Sequence, residues 1–168
     1  MRFFGVSNHS AIQIELLKRY ITEPLVVNQI ELSLLHNYLV DSGVRVNQVD
    51  SPWSIPGDGV LDTCQLKDIT VQAWGPLANG TITGKLSENP DQRTLNTAEW
   101  VAAMAAQKQV GREAIPVAWL LRHPARIQVI IGTANPGRIR SCCQAVDLEL
   151  NREEWYRLLT ASRGSEMP

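Results

Sequence analysis

A chain of 168 residues, 44% hydrophobic and 20% charged, is long enough to bury one core of ordinary size. Its formal net charge of -1, with no clustered run of lysine or arginine, predicts no electrostatic capture of nucleic acid or of an anionic membrane. No apolar stretch approaches transmembrane length, and the apolar run at the N-terminus is too short for a signal peptide, so the expected compartment is the cytoplasm.

Cys64, Cys142 and Cys143 form an odd count without C-x-x-C spacing, which suggests neither a disulfide framework nor a zinc site; all three read as packing residues. His9, His36 and His123 are scattered without ligand-like spacing, and no metal is expected.

The predicted elements alternate. Arg2 to Val6 reads as a strand, Ser7-Asn8-His9-Ser10 as a polar turn, and Ser10 with Gln13 as a capping box opening a helix with the apolar stripe Ile12, Leu16, Leu17 and Tyr20. Pro24 ends that region, and Leu25 to Ile30 is a second buried strand. Glu31 to Val40 reads as a loop with a helical turn, and Asp41 to Gly57, rich in turn formers, as a long connection. Gly59 to Asp68 contains a helix with Val60, Leu61, Cys64 and Leu66 partly inside. Ile69 to Trp74 is the third strand, closed by the turn Gly75 to Gly80.

Gly84 to Thr97 is polar and irregular, a length that suggests a lid. Asn96 with Glu99 resembles a capping box for a helix to about Val110, with Val101, Met104 and Ala105 inward. A further helix starts at Pro116, buries Trp119, Leu120 and Leu121, and stops at Pro124. Ile127 to Ile131 is the fourth strand, and Asn135 caps a helix running to about Ala145. Asn151 and Glu154 cap a last helix with Trp155, Leu158, Leu159 and Ser162 inward. Residues 1–163 read as a single domain and 164–168 as a tail.

Strand followed by helix, four times over, predicts parallel strands joined by right-handed crossovers. Each strand ends in polar or small residues, so Ser7-Asn8, Asn28-Gln29, Trp74-Gly75 and Gly132-Thr133 would share one rim, where such sheets and barrels place ligands. Strand ends must stop being apolar somewhere, and Asn or Ser there also caps helices. On a binding rim, Trp74 offers a stacking face, and Ser7, Asn8 and Gln29 offer partners to a carboxamide. The helix start at Asn135, with Arg138 in its first turn, favours a phosphate, although a basic residue at such a junction is ordinary in α/β proteins. This set describes a nicotinamide dinucleotide along a rim. No G-x-G-x-x-G follows a strand, so a Rossmann site is not suggested.

Phe4-Gly5-Val6-Ser7-Asn8, Val27-Asn28-Gln29-Ile30-Glu31, Gln72-Ala73-Trp74-Gly75-Pro76-Leu77, Ala118 to Pro124 and Gly132 to Arg138 resemble, in order and spacing, the aldo-keto reductase family. The resemblance implies an α/β chain of four parallel βα units matching strands five to eight of a (β/α)8 TIM-type barrel, plus a C-terminal helix. It implies that Ser7, Asn8 and Gln29 hold a nicotinamide carboxamide, that Trp74 stacks on the ring, and that Gly75, Pro76 and Leu77 embrace the pyrophosphate. Thr133 and Arg138 then match contacts to an adenosine 2′-phosphate.

Gly132 stands where many members carry lysine, and the usual adenine-side Glu-Asn pair falls on Ser141 and Cys142, which weakens the preference for NADP over NAD; the resemblance implies NADP as cofactor, with NAD possible. The family's catalytic Asp, Tyr, Lys and His belong to the first four strands, and no catalytic residue is assigned; Tyr20, Tyr38 and Tyr156 read as packing residues. One reading is thus an oxidoreductase fragment carrying the dinucleotide-binding half for carbonyl/alcohol hydride transfer. The other is a non-catalytic half-barrel that binds dinucleotide weakly or acts as an assembly module. Open sheet edges and an apolar inner face predict self-association or a complementary half-barrel.

Overall fold

The computed structural model describes residues 2–45 and 59–167. Its elements are β1 (Phe4–Ser7), α1 (Ala11–Leu17), β2 (Leu25–Glu31), α2 (Tyr38–Val44), α3 (Val60–Leu66), β3 (Thr70–Trp74), α4 (Gln92–Lys108), α5 (Ala114–Leu121), β4 (Gln128–Ile130), α6 (Pro136–Cys143) and α7 (Arg152–Arg163), with 3₁₀ turns at Ala78–Thr83 and Gln144–Val146. The strands form one parallel sheet in chain order, β1-β2-β3-β4, as the alternating pattern requires.

Strand alternation divides the sheet into two faces. Asn28, Ile30, Val71 and Ala73 are buried on the side of the helical layer, together with Ile14, Val101, Ile115, Trp119, Leu120 and Leu158. The opposite face carries Ser7, Gln29, Gln72 and Gln128 in one register row, and Glu31 beside Trp74 in the next. This corrects the expectation of an apolar inner face: the row across its middle is polar and partly open to water.

The helix starts follow capping chemistry. Ser10 and Asn151 both form complete capping boxes, with Gln13 and Glu154, and the Asn135 side chain accepts the N–H of Arg138 at 3.1 Å. Asn96 does not open α4. Asp91 does, taking the Thr94 N–H at 2.7 Å, so the helix begins within the segment expected to be a lid and the irregular stretch shrinks to residues 84–91. Ala114 rather than Pro116 begins α5; a proline third in a helix loses nothing, because the first-turn N–H groups have no intrahelical acceptor. The helical turn expected within Glu31 to Val40 starts at Tyr38 and runs on as α2 to Val44, into the segment expected as a connection, and residues 46–58 of that connection lie outside the described residues.

Several apolar side chains face water. On α1 only Ile14 is buried, whereas Ile12 and Leu16 are 76% and 54% exposed; Tyr20, in the turn that follows, is 80% exposed, and Phe3 nearby in the chain is exposed too. Leu66, Leu121 and Cys143 are exposed too, against the expectation that they pack. Tyr38 and Tyr156 are partly exposed, their rings set edge-on against His36 and Trp155.

α7 is clasped twice. Trp119 and Trp155 stack at 5.2 Å, and each indole N–H donates to the other's carbonyl, at 3.3 and 2.9 Å. At the far end, buried Ser162 accepts from Asn37 Nδ2 at 2.8 Å, and Arg163 reaches Asp41 at 2.6 Å, which also meets Arg45. That pairing explains a serine in an otherwise apolar stripe.

Candidate functional site

The C-terminal ends of the four strands gather most of the residues singled out from sequence. At the β1 end the Ser7 hydroxyl donates to the Gln29 carbonyl at 3.0 Å, and the Asn8 N–H reaches the same oxygen at 2.9 Å. Asn8 has φ 55°, the left-handed conformation that asparagine tolerates better than most side chains. The turn is held from below by Asn28. Its side chain, fully buried, donates to the His9 carbonyl at 2.8 Å and accepts the His9 N–H at 3.3 Å.

Asn28 and Gln29 therefore do different work. Asn28 points into the helical layer as a brace and not onto the rim, where the sequence reading had grouped it with Gln29. Gln29 lies on the open face and donates from Nε2 to Gln72 Oε1 at 3.2 Å; Gln72 in turn donates to Gln128 Oε1 at 2.7 Å. Sequence reasoning named Gln29 alone. The identical residue type on three neighbouring strands is the signal for the ladder, and it becomes visible once the register is known.

Trp74 ends β3 on the same face as Gln72 and is 36% exposed, so part of its ring is open to a ligand. Beyond it the chain turns sharply: φ is positive at Gly75 (67°), Ala78 (47°), Asn79 (57°) and Gly80 (88°). The Ala78 N–H bonds to the Gly75 carbonyl at 2.9 Å and the Gly80 N–H to that of Leu77 at 2.8 Å, closing two successive short turns, the first through Pro76 and Leu77 and the second through Ala78 and Asn79.

At the β4 end, Gly132 is exposed, and the Thr133 hydroxyl accepts the Asn135 N–H at 3.2 Å. The start of α6 is less open than its sequence suggests. Pro136 has no N–H, Asn135 takes that of Arg138, and Ile139 bonds back to the Asn135 carbonyl, so the Gly137 amide is what the first turn offers an anion. The Arg138 side chain is exposed. Ser141 and Cys142 turn away from the rim: the Ser141 hydroxyl donates to Glu113 at 2.7 Å, and Cys142 is buried, which raises its thiol above the ordinary value.

A second concavity of about 390 Å³ lies between α2, α5 and α7, lined by Val40, Gly43, Arg122, His123, Trp155 and Tyr156 among others. Burial holds the His123 imidazole below its ordinary pKa, and nearby Asp62 opposes that shift. Among the described residues no group of three or more His, Cys, Asp or Glu is placed to hold a metal, and no helix is long and apolar enough to cross a membrane.

Comparison with known proteins gives this arrangement a family. The chain is 35% identical to the uncharacterized oxidoreductase YcsN of Bacillus subtilis and 31% identical to 6-dehydroglucose reductase of Novosphingobium aromaticivorans, each match spanning 100% of the chain. It covers 50% and 49% of those two proteins, about half their length. Among solved structures, the thermostable aldo-keto reductase Tm1743, in complex with the inhibitor epalrestat, superposes with a TM-score of 0.68 at 24% identity over 95% of this chain and 48% of its own. An aldo-keto reductase of Bombyx mori in complex with NADP gives 0.63 at 21% identity, over 94% and 43%. These likenesses share the α/β fold of parallel strands and helices found here. The Aldo/keto reductase family profile matches residues 1–162, and the chain belongs to that family.

Proposed function

We propose that this chain supplies the dinucleotide-binding half of an NAD(P)H-dependent oxidoreductase acting on carbonyl or alcohol substrates. The observation that carries the reading is the adjacency, on one open rim, of Ser7, Asn8 and Gln29 with the half-exposed Trp74 ring. Ser7, Asn8 and Gln29 hold the carboxamide, Trp74 covers one ring face, and the turn through Gly75, Pro76 and Leu77 lies along the pyrophosphate. Gly132 leaves room beside Thr133 and Arg138, whose hydroxyl and guanidinium take the 2′-phosphate of NADP; NAD lacks that group and loses only that grip. The bound dinucleotide supplies hydride. The chain's residues orient the ring and shield one of its faces.

A complementary set of βα units provides the rest of the pocket, either on a second polypeptide segment or on a second copy. β1 and β4 are the outer strands of the described sheet, and exposed Phe3, Ile12, Leu16 and Tyr20 lie on or next to the β1–α1 unit. The protein works in the cytoplasm, where reduced nicotinamide cofactors are held.

Titration of tryptophan fluorescence with NADPH and with NADH tests the cofactor reading. Saturable quenching is expected, abolished in Trp74→Ala. In Arg138→Ala, NADPH affinity should fall roughly tenfold, the size of one lost charge-assisted contact, with NADH unchanged. A flat response to both cofactors refutes it.

A further inference from the structure

The polar row across the open face holds two residues that the cofactor reading does not use. Gln29 Nε2 donates to Gln72 Oε1 at 3.2 Å, and Gln72 Nε2 donates to Gln128 Oε1 at 2.7 Å, so three amides form one directed chain over β2, β3 and β4. A lone glutamine on a strand can rotate about three torsions and present either end of its amide. Within the ladder, one Gln29 N–H is spent on Gln72, and its Oε1 is the end left to accept.

We propose that Gln72 and Gln128 are positioning residues for nicotinamide recognition. Their relay fixes Gln29 so that its Oε1 accepts a hydrogen bond from the carboxamide NH₂ of the dinucleotide. The assignment rests on the cofactor reading above and deepens it. Gln72 lies directly between the group it orients and the strand edge, two residues before Trp74 on the same face, so the ring and the amide that meet the nicotinamide are set by neighbouring side chains. A pre-oriented acceptor avoids the rotamer entropy a free glutamine would lose on binding.

The test is calorimetric titration of the full chain with NADPH and, separately, with 2′-phospho-ADP-ribose, which lacks the nicotinamide. Gln72→Met keeps length and volume but removes the relay. It should weaken NADPH roughly fivefold to tenfold while leaving 2′-phospho-ADP-ribose within about twofold, the loss of one oriented hydrogen bond. Gln72→Glu still accepts from Gln29 and should stay within about twofold of wild type for both ligands. Gln128→Met, on the exposed edge strand, should give a smaller loss of the same selectivity and guards against a folding defect in the Gln72 variants.

Equal weakening of both ligands in Gln72→Met, or no weakening of NADPH, overturns the relay. Failure of the wild-type chain to bind NADPH or NADH overturns the cofactor reading, and the relay falls with it.

Discussion

The brace beneath the first rim turn makes a quantitative prediction. Asn28 is fully buried and spends both ends of its amide on one residue, donating to the His9 carbonyl at 2.8 Å and accepting the His9 N–H at 3.3 Å. Asn28→Ala removes two hydrogen bonds at about 1 kcal/mol each, and half-buried His9 recovers water only in part, so a loss of about 2 to 3 kcal/mol is expected. With a urea dependence of about 2 kcal/mol/M, the unfolding midpoint should drop by about 1 to 1.5 M. Exchange of the His9 amide should accelerate by more than that of the strand interiors.

Asn28→Asp separates the two ends of the amide. One carboxylate oxygen still accepts the His9 N–H, but the other then faces the His9 carbonyl, and burial raises the carboxyl pKa above the unfolded value near 3.9. The unfolded state then releases the proton more readily than the folded one. The penalty is absent below about pH 4, where the protonated acid can donate as the amide did, and it grows as pH rises past that point. An Asn28→Ala loss under about 0.5 kcal/mol, or an Asn28→Asp variant as stable as wild type at pH 7, would refute the brace.

Three further outcomes follow from packing and burial. A Cβ at Gly111 would sit 1.8 Å from the Ser141 hydroxyl, so Gly111→Ala must push α6 off the loop before α5 and should cost about 1 to 3 kcal/mol in chemical unfolding; Ser141→Gly in the same background should recover much of it. His123 carries a depressed pKa from burial, so the unfolded state binds its proton more tightly and stability should decline as pH falls below the unfolded value of about 6.5; His123→Gln should flatten that slope in melts between pH 7 and 5.5. Leu16→Lys, on the exposed stripe of α1, should lower the sedimentation coefficient at micromolar concentration if that stripe mediates association, while leaving NADPH affinity alone.

Order and type of the strands were readable because apolar runs bounded by Gly, Pro and Asn leave few other options. Caps were readable where the reciprocal pair is local, as at Ser10 with Gln13 and Asn151 with Glu154. The same signal misled at Asn96 and Glu99. Asp91 lies earlier and takes the free N–H of Thr94, and Asn96, already one turn inside, accepts instead from the Gln92 side chain at 2.7 Å. Side-chain facing failed for α1. Its stripe has helical spacing, but Ile14, outside that stripe, is the side chain that reaches the core, while Leu17 is half-buried and Ile12 and Leu16 face water. Facing also decides Asn28 against Gln29: neighbours on a strand point to opposite faces, and which one meets the rim depends on where the helices pack.

The polar row reshapes how the two halves of such a protein would meet. If the inner face were apolar, its burial would drive closure and a ligand would have to compete with the partner for the same surface. Here the face carries Ser7, Gln29, Gln72 and Gln128 across its middle, and the exposed apolar side chains Ile12 and Leu16 on α1 and Tyr20 in the turn after it lie outside the row. Burying that stripe gains roughly 25 cal/mol for each Å² of apolar surface without desolvating an amide, whereas pressing an apolar surface on the ladder would leave its outer N–H and C=O groups unpaired at about 1 to 3 kcal/mol each. Association with a second half, as proposed above, would therefore run through the helices and strand edges and leave the interior row to a polar ligand that can meet its hydrogen bonds, as a carboxamide would.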